Sequence, residues 1–178
     1  MKKVRIKDLE FELSITSESI QAEIDRVAAQ INEDYQGTEV LFLGILNGSF
    51  MFVADLLKRI EVVSQLSFLK IASYEGMNSS GVSKELIGIN ENLNGRHIVV
   101  IEDIVDTGKT MIQILQQLTK YAPASIRVAT LLYKPDACKV DLKIDYTVFT
   151  IPNDFIVGYG LDYDGYGRNL PEIYTVVK

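Results

Sequence analysis

The sequence predicts an α/β fold: a mostly parallel central sheet with helices on both faces and a small hood. Two observations carry that prediction. Runs at 40–46, at 98–101, where all four residues are apolar and β-branched, and at 125–133 read as buried strands. Segments of helical apolar spacing separate them, and strands that alternate with helices assemble into a parallel sheet covered on both sides. A length of 178 residues suits one domain, taken as residues 1–178, with no repeat, low-complexity tract or linker.

The elements follow in order. Val4 to Ile15 mixes charged and apolar positions, and the alternation from Leu9 to Ile15 predicts a short strand or extended arm. Ser17 or Ser19 is placed to cap a helix whose inner face is Ile20, Ile24, Val27 and Ile31, with Gly37 ending the segment. Val40 to Leu46 is a buried strand that runs through Asn47-Gly48-Ser49 into a helix from Phe50 to Arg59. Strands over Val62–Ala72 and Leu86–Ile89 bracket a loop-like run, Ser73 to Ser83. Ser125 to Tyr133 is a further buried strand and ends at Lys134-Pro135. Tyr146 to Ile151 is the next strand, and Pro152-Asn153-Asp154 turns the chain into Phe155–Tyr163. His97, the sole histidine, opens a strand and reads as structural, and Cys138 as an incidental thiol.

The chemistry concentrates in one stretch. After Ile98-Val99-Val100-Ile101 come two acids, Glu102 and Asp103, and then Asp106-Thr107-Gly108-Lys109-Thr110. A helix follows, with Met111, Ile114, Leu115, Leu118 and Ala122 on one face. A glycine-containing loop entering a helix aims free N–H groups and the positive end of the helix dipole at one point, a seat for a phosphate. The Thr107 and Thr110 hydroxyls add donors. Gly108-Lys109-Thr110 matches the end of a nucleotide P-loop, but that motif needs glycine where Asp103 stands, so the P-loop reading fails. Two carboxylates beside a phosphate seat would repel the ligand if left alone. They make sense holding ribose hydroxyls, or waters on a Mg²⁺ that travels with a pyrophosphate. Asp106 also stands where a helix N-cap is expected.

Val99 to Thr110 resembles the signature loop of the type I phosphoribosyltransferases, which use 5-phosphoribosyl 1-pyrophosphate. Other segments between about Val40 and Arg168 resemble the hypoxanthine-guanine branch. The resemblance implies transfer of phosphoribosyl to N9 of hypoxanthine or guanine, giving IMP or GMP and pyrophosphate in purine salvage. It makes Asp106 the general acid/base beside N7, with Asp106 to Thr110 on the 5′-phosphate. It gives Leu46, Asn47 and Gly48 to the pyrophosphate, with a cis peptide at Leu46–Asn47 and a lysine usual where Asn47 stands. Ser73-Tyr74 opens a mobile lid that keeps water from a reactive sugar cation. Lys134 donates to O6 of the purine, Phe155 stacks on it, and the Ile156 backbone recognises its edge. By the same resemblance Asp162 matches the residue near the second metal and pyrophosphate, and Arg168 an arginine that binds pyrophosphate. Glu102, Asp103 and Asp162 are thus the metal set, with Mg²⁺ as cofactor. The N-terminal arm and the segment after Pro152 are expected to form the hood over the base.

Bulk properties narrow the partners. A net charge of −6 argues against a broad nucleic-acid-binding face while leaving room for a phosphate pocket. It counts equally against the rival class, a nucleotide sensor that binds RNA, which should show a basic face. No apolar run is long enough for a bilayer and no signal-peptide core is seen, so the expectation is a cytoplasmic enzyme without membrane contact. Tyr159, Tyr163 and Tyr166 form a patch suited to a subunit interface, and a homodimer or homotetramer is expected.

Overall fold

The computed structural model describes residues 2–75, 82–89 and 91–177, with the backbone alone for 72–75 and 82–87. The N-terminal arm is a hairpin, β1 (Lys3–Ile6) and β2 (Leu9–Ile15), turned at Lys7. Next come α1 (Ser17–Asp34), β3 (Val40–Leu46), α2 (Phe50–Leu57), β4 (Ser64–Glu75) and β5 (Val82–Ile87). The rest is β6 (His97–Val105), α3 (Lys109–Thr119), β7 (Ser125–Tyr133), β8 (Tyr146–Thr150), β9 (Ile156–Val157) and β10 (Ile173–Val176). Six strands form the main sheet in the order β5-β4-β3-β6-β7-β8, all parallel except the β4–β5 edge pair. A second, antiparallel sheet runs β1-β2-β10-β9 and unites the N-terminal hairpin with the segment after residue 152.

The apolar run of β6 shows why a two-sided sheet demands such a sequence. Side chains alternate along a strand. Val99 and Ile101 pack with Ile20, Ile24 and Ile31 of α1 and Phe52 and Leu56 of α2 on one face. Ile98 and Val100 pack with Met111, Ile114 and Leu118 of α3 on the other. All four are fully buried.

Register fixes where the loops meet. Val40 pairs with His97, and His97 with Ser125, so β3, β6 and β7 start together and end at the same sheet edge. The turns that follow them, at 47–49, 106–108 and 134–137, therefore converge at the carboxyl ends of the strands, where open α/β sheets bind ligands. His97 lies at the opposite end, with Nδ1 2.8 Å from the Ser125 hydroxyl, in keeping with a structural role.

Several sequence-based expectations need correction. Thr16 caps α1, its Oγ1 accepting from the Ser19 amide at 3.2 Å, because Thr16 is the residue in extended backbone just before the first turn. β6 continues through Val105, so Glu102 and Asp103 lie within the strand. α2 stops at Leu57, short of Arg59, and α3 begins at Lys109 and ends before Ala122, which takes a left-handed φ. Gly108, not Asp106, is the N-cap residue of α3. Tyr159, 1% exposed, packs in the core and is no part of a surface patch with Tyr163 and Tyr166. The β4–β5 ladder runs from Lys70↔Ile87 to Glu75↔Val82. The remainder of the expected lid, residues 76–81, lies outside the described residues. Among the described residues no helix is long and apolar enough to cross a membrane.

Candidate active site

β6 delivers two acids to a place with little water. Glu102 is 8% exposed, and its Oε1 accepts from the Asp103 amide at 3.2 Å. Asp103 Oδ1 accepts from the Ile104 amide at 2.9 Å. Burial pushes the Glu102 carboxyl well above its usual range, and the neighbouring Asp103 charge adds to the effect. Burial also raises Asp103, against hydrogen bonds from Glu102 and Ile104 and the charge of Arg168. The turn after β3 presses on this pair. A β-carbon at Gly48 would run into the Asp103 carboxylate, so only glycine lets the two segments approach so closely. The Leu46–Asn47 peptide is cis, as the family resemblance implies. Ser49 is fully buried, its hydroxyl donating to the Ile45 carbonyl at 2.6 Å.

The loop between β6 and α3 is held by the segment beyond β7. The Lys134 amide donates to Val105 O at 3.0 Å, and the Lys139 amide to Thr107 O at 3.2 Å. Gly108, with φ 78, sits against Cys138 and Val140, which gives the thiol a packing role beneath the loop. No side chain caps α3, so its first-turn N–H groups point free toward the loop. Lys134 is 6% exposed, and its ammonium lies 3.5 Å from Asp106 Oδ2. At that distance the pair is an ion contact rather than a good hydrogen bond. The Asp106 side chain is about half exposed.

The segment after residue 152 supplies the third wall. Phe155, 44% exposed, has its ring centroid 5.7 Å from Tyr163 at 84° and 6.0 Å from Phe11. Its neighbour Ile156 is buried in the small sheet. Arg168 donates to Gly160 O at 2.8 Å and pairs with Asp162 Oδ1 at 2.7 Å, while Asp162 Oδ2 accepts from the Gly165 amide at 2.6 Å.

These walls enclose a cleft with two lobes. The first, about 380 Å³, is lined by Leu46, Asn47, Gly48, Glu102, Asp103, Asp106, Thr107, Gly108, Thr110, Asp162 and Arg168. The second, about 230 Å³, is lined by Lys134, Phe155 and Ile156, and shares Asp103, Ile104, Asp106 and Asp162 with the first. Lys109 is exposed and lines neither lobe. The side chains of Ser73 and Tyr74 lie outside the described residues. Sequence reasoning missed Ile104, which lines both lobes, Ile45, Ile71, Val105 and Met111, which line the first, and Leu161, which lines the second. As apolar residues in or beside strands and helices they carry no signal apart from core.

The acids can be tested against a divalent cation. Among the described residues no three acids gather as a ready-made metal cage. Mg²⁺ does not need one, since it keeps several waters and binds through one or two carboxylates plus substrate phosphates. Glu102, buried, and Asp103, partly buried, are adjacent carboxylates with no ion pair of their own among the described residues, and they fit that demand. Asp162 has one acceptor site on each oxygen committed to Arg168 or Gly165 and the others free.

Comparison with known proteins agrees with this geometry. The phosphoribosyl transferase domain model matches residues 15–164. The chain is 40% identical over 160 residues to the hypoxanthine-guanine phosphoribosyltransferase of Streptococcus pneumoniae, covering 89% of each chain. It is 41% identical over 169 residues to the Mycobacterium tuberculosis protein of the same name, covering 91% of this chain and 84% of that one. A crystal structure of a hypoxanthine-guanine phosphoribosyltransferase from Bacillus anthracis superposes with a TM-score of 0.86 at 36% identity, covering 97% of this chain and all of that one. A Staphylococcus aureus hypoxanthine phosphoribosyltransferase does so with a TM-score of 0.86 at 38% identity, covering 93% and 91%. The chain belongs to the phosphoribosyltransferase family, on its hypoxanthine-guanine branch.

Proposed function

We propose that this protein transfers phosphoribosyl from 5-phosphoribosyl 1-pyrophosphate to N9 of hypoxanthine or guanine in purine salvage, releasing pyrophosphate. The observation that carries the reading is the two-lobed cleft, with the Gly108 loop at the start of α3 in one lobe and a buried lysine and an exposed phenyl ring in the other. A 6-oxopurine presents an acceptor that a donor-only ammonium can meet, and a flat base suits the face of Phe155.

Each residue then takes a role. Asp106, Thr107, Gly108, Lys109 and Thr110 hold the 5′-phosphate with backbone and hydroxyl donors. Leu46, Asn47, Gly48 and Arg168 hold the pyrophosphate. Glu102 and Asp103 hold the ribose diol. Asp106 exchanges a proton with N7, a role supported by its nearness to Lys134. Ile156 reads the base through its backbone. Bond breaking leaves an oxocarbenium-like sugar, which the surrounding carboxylates stabilise. Glu102, Asp103 and Asp162 would hold Mg²⁺, which neutralises charge on the departing pyrophosphate.

The proposal extends to the whole chain. Residues 1–178 act as one domain, with the small sheet as hood over the base, and the hairpin bearing Ser73 and Tyr74 closes on the sugar. Its partners are these small molecules and further copies of itself, as a homodimer or homotetramer, rather than nucleic acid or membrane. One cysteine fits a cytoplasmic setting. The test is pyrophosphate release with hypoxanthine, guanine, xanthine and adenine in turn. Turnover with the first two and little with adenine is expected. No release with any 6-oxopurine would overturn the assignment.

A further inference from the structure

Tyr159 has an unusual place in the chain. It takes a left-handed φ of 48, between Gly158 and Gly160 at 100 each, and such a conformation is rare for a bulky residue. The side chain is 1% exposed and packs in the core with α1 and α2. Its hydroxyl donates to Asp55 Oδ2 at 2.5 Å. The same carboxylate receives Gln21 Nε2 at 2.9 Å and Lys58 at 2.6 Å, and Arg59 in turn donates to Gln21 at 2.9 Å. Burial first, and the Asp55 bond second, push the phenol far above its usual range, so it remains a neutral donor.

The two ends of this bond adjoin two of the segments that line the anion lobe. Asp55 lies on α2, the helix that begins directly after the Gly48 turn. Tyr159 adjoins Gly160, where a β-carbon would collide with the Gly48 carbonyl. Gly160 exchanges hydrogen bonds with Arg168 in both directions, at 3.0 and 2.8 Å. Arg168 and Asp162 line the same lobe as Gly48. Residues 47–48 and 160–168 are distant in sequence, and their spacing decides how far Arg168 stands from an anion seated on the Gly48 turn.

We infer that Tyr159 and Asp55 are positioning residues, a buried strut that sets the Gly48 turn and the Asp162–Arg168 loop at the separation a pyrophosphate group needs. This deepens the reading proposed above and rests on it. Neither side chain lines either lobe, so both act through the backbone they fix.

The experiment compares steady-state kinetics of wild type, Tyr159→Phe, Asp55→Asn and the double variant, with thermal melts as a folding control. A hydrogen bond to a charged group sets the scale, so KM for 5-phosphoribosyl 1-pyrophosphate and Kd for pyrophosphate should each rise roughly 10-fold in Tyr159→Phe. KM for hypoxanthine should change by less than about 2-fold, because Lys134 and Phe155 lie on the other side of the cleft. The double variant should be no worse than the poorer single one, as for two ends of one interaction. If Tyr159→Phe does not fold, Asp55→Asn, which keeps size and an acceptor, carries the same comparison. A lower melting temperature with both KM values unchanged, or an equal rise in both, would overturn the strut. Wild-type protein without transfer to any 6-oxopurine would overturn the underlying reading and the strut with it.

Discussion

Lys134 brings a positive charge to a place where it is 6% exposed, and the nearest carboxylate is Asp106 at 3.5 Å. An ammonium so buried is costly unless a ligand completes its hydrogen bonding. Lys134→Met keeps the apolar stem and should lower kcat/KM for hypoxanthine and guanine about 10- to 100-fold, since a charged hydrogen bond is worth roughly 1.5–3 kcal/mol. It should also narrow the gap to adenine, and wild-type kcat/KM for both oxopurines would remove Lys134 from base recognition. Asp106 makes a separate case. Since Gly108 caps α3, Asp106→Asn removes no cap, and its amide oxygen keeps an acceptor beside Lys134, so the melting temperature should fall only slightly. As the general acid/base it should lose roughly 10²- to 10⁴-fold in kcat, measured with hypoxanthine at saturation. The acids and the loop were legible because charge at the end of an apolar run has no packing explanation. Ile104 was not legible, because an apolar wall of a cleft and an apolar core residue obey the same pattern.

The elements were readable where periodicity is long. β3, β6 and β7 run seven to nine residues, and each carries a buried apolar run: Val40–Ile45 of β3, Ile98–Ile101 of β6, and Val128, Ala129, Leu131 and Leu132 around Thr130 in β7. β10 has four residues and β9 two, too short for alternation to register, so the small sheet could be expected as a hood without its strand order. Tyr159 could not be foreseen as a strut, since Asp55 comes beside it only when α2 packs. That helix offers a test through pH. Burial pushes the Asp55 carboxyl up, but bonds from Lys58, Tyr159 and Gln21 outweigh it and hold the group below its ordinary 3.8. A carboxylate lowered on folding stabilises above its unfolded pKa and loses that contribution as pH falls through the folded one. The melting temperature of wild type should therefore exceed that of Asp55→Asn at neutral pH and converge on it as pH drops below 3.8. A gap independent of pH would assign the difference to packing. At the turn before α2, Gly48→Ala forces the Asp103 carboxylate aside. Overpacking of this kind costs about 1–3 kcal/mol, visible as a lowered melting temperature together with weakened pyrophosphate binding.

For the molecule as a whole, the metal role proposed for Glu102 and Asp103 predicts a dependence on divalent cation. Turnover should disappear in excess chelator and return with Mg²⁺ or Mn²⁺, and full activity in chelator would refute a metal role for the pair. Sedimentation should give two or four times the 20.0 kDa chain mass, and a 20.0 kDa species would set aside self-association. The two lobes share Asp103, Ile104, Asp106 and Asp162 as a common wall. An occupant of either lobe therefore presses on the surface the other must bind, and the two affinities cannot be independent. Linkage then demands symmetry: whatever factor bound pyrophosphate imposes on the affinity for a nucleoside, the nucleoside imposes on pyrophosphate. Paired calorimetric titrations, each with the other ligand absent and then saturating, should return one number from both directions and differ from unity.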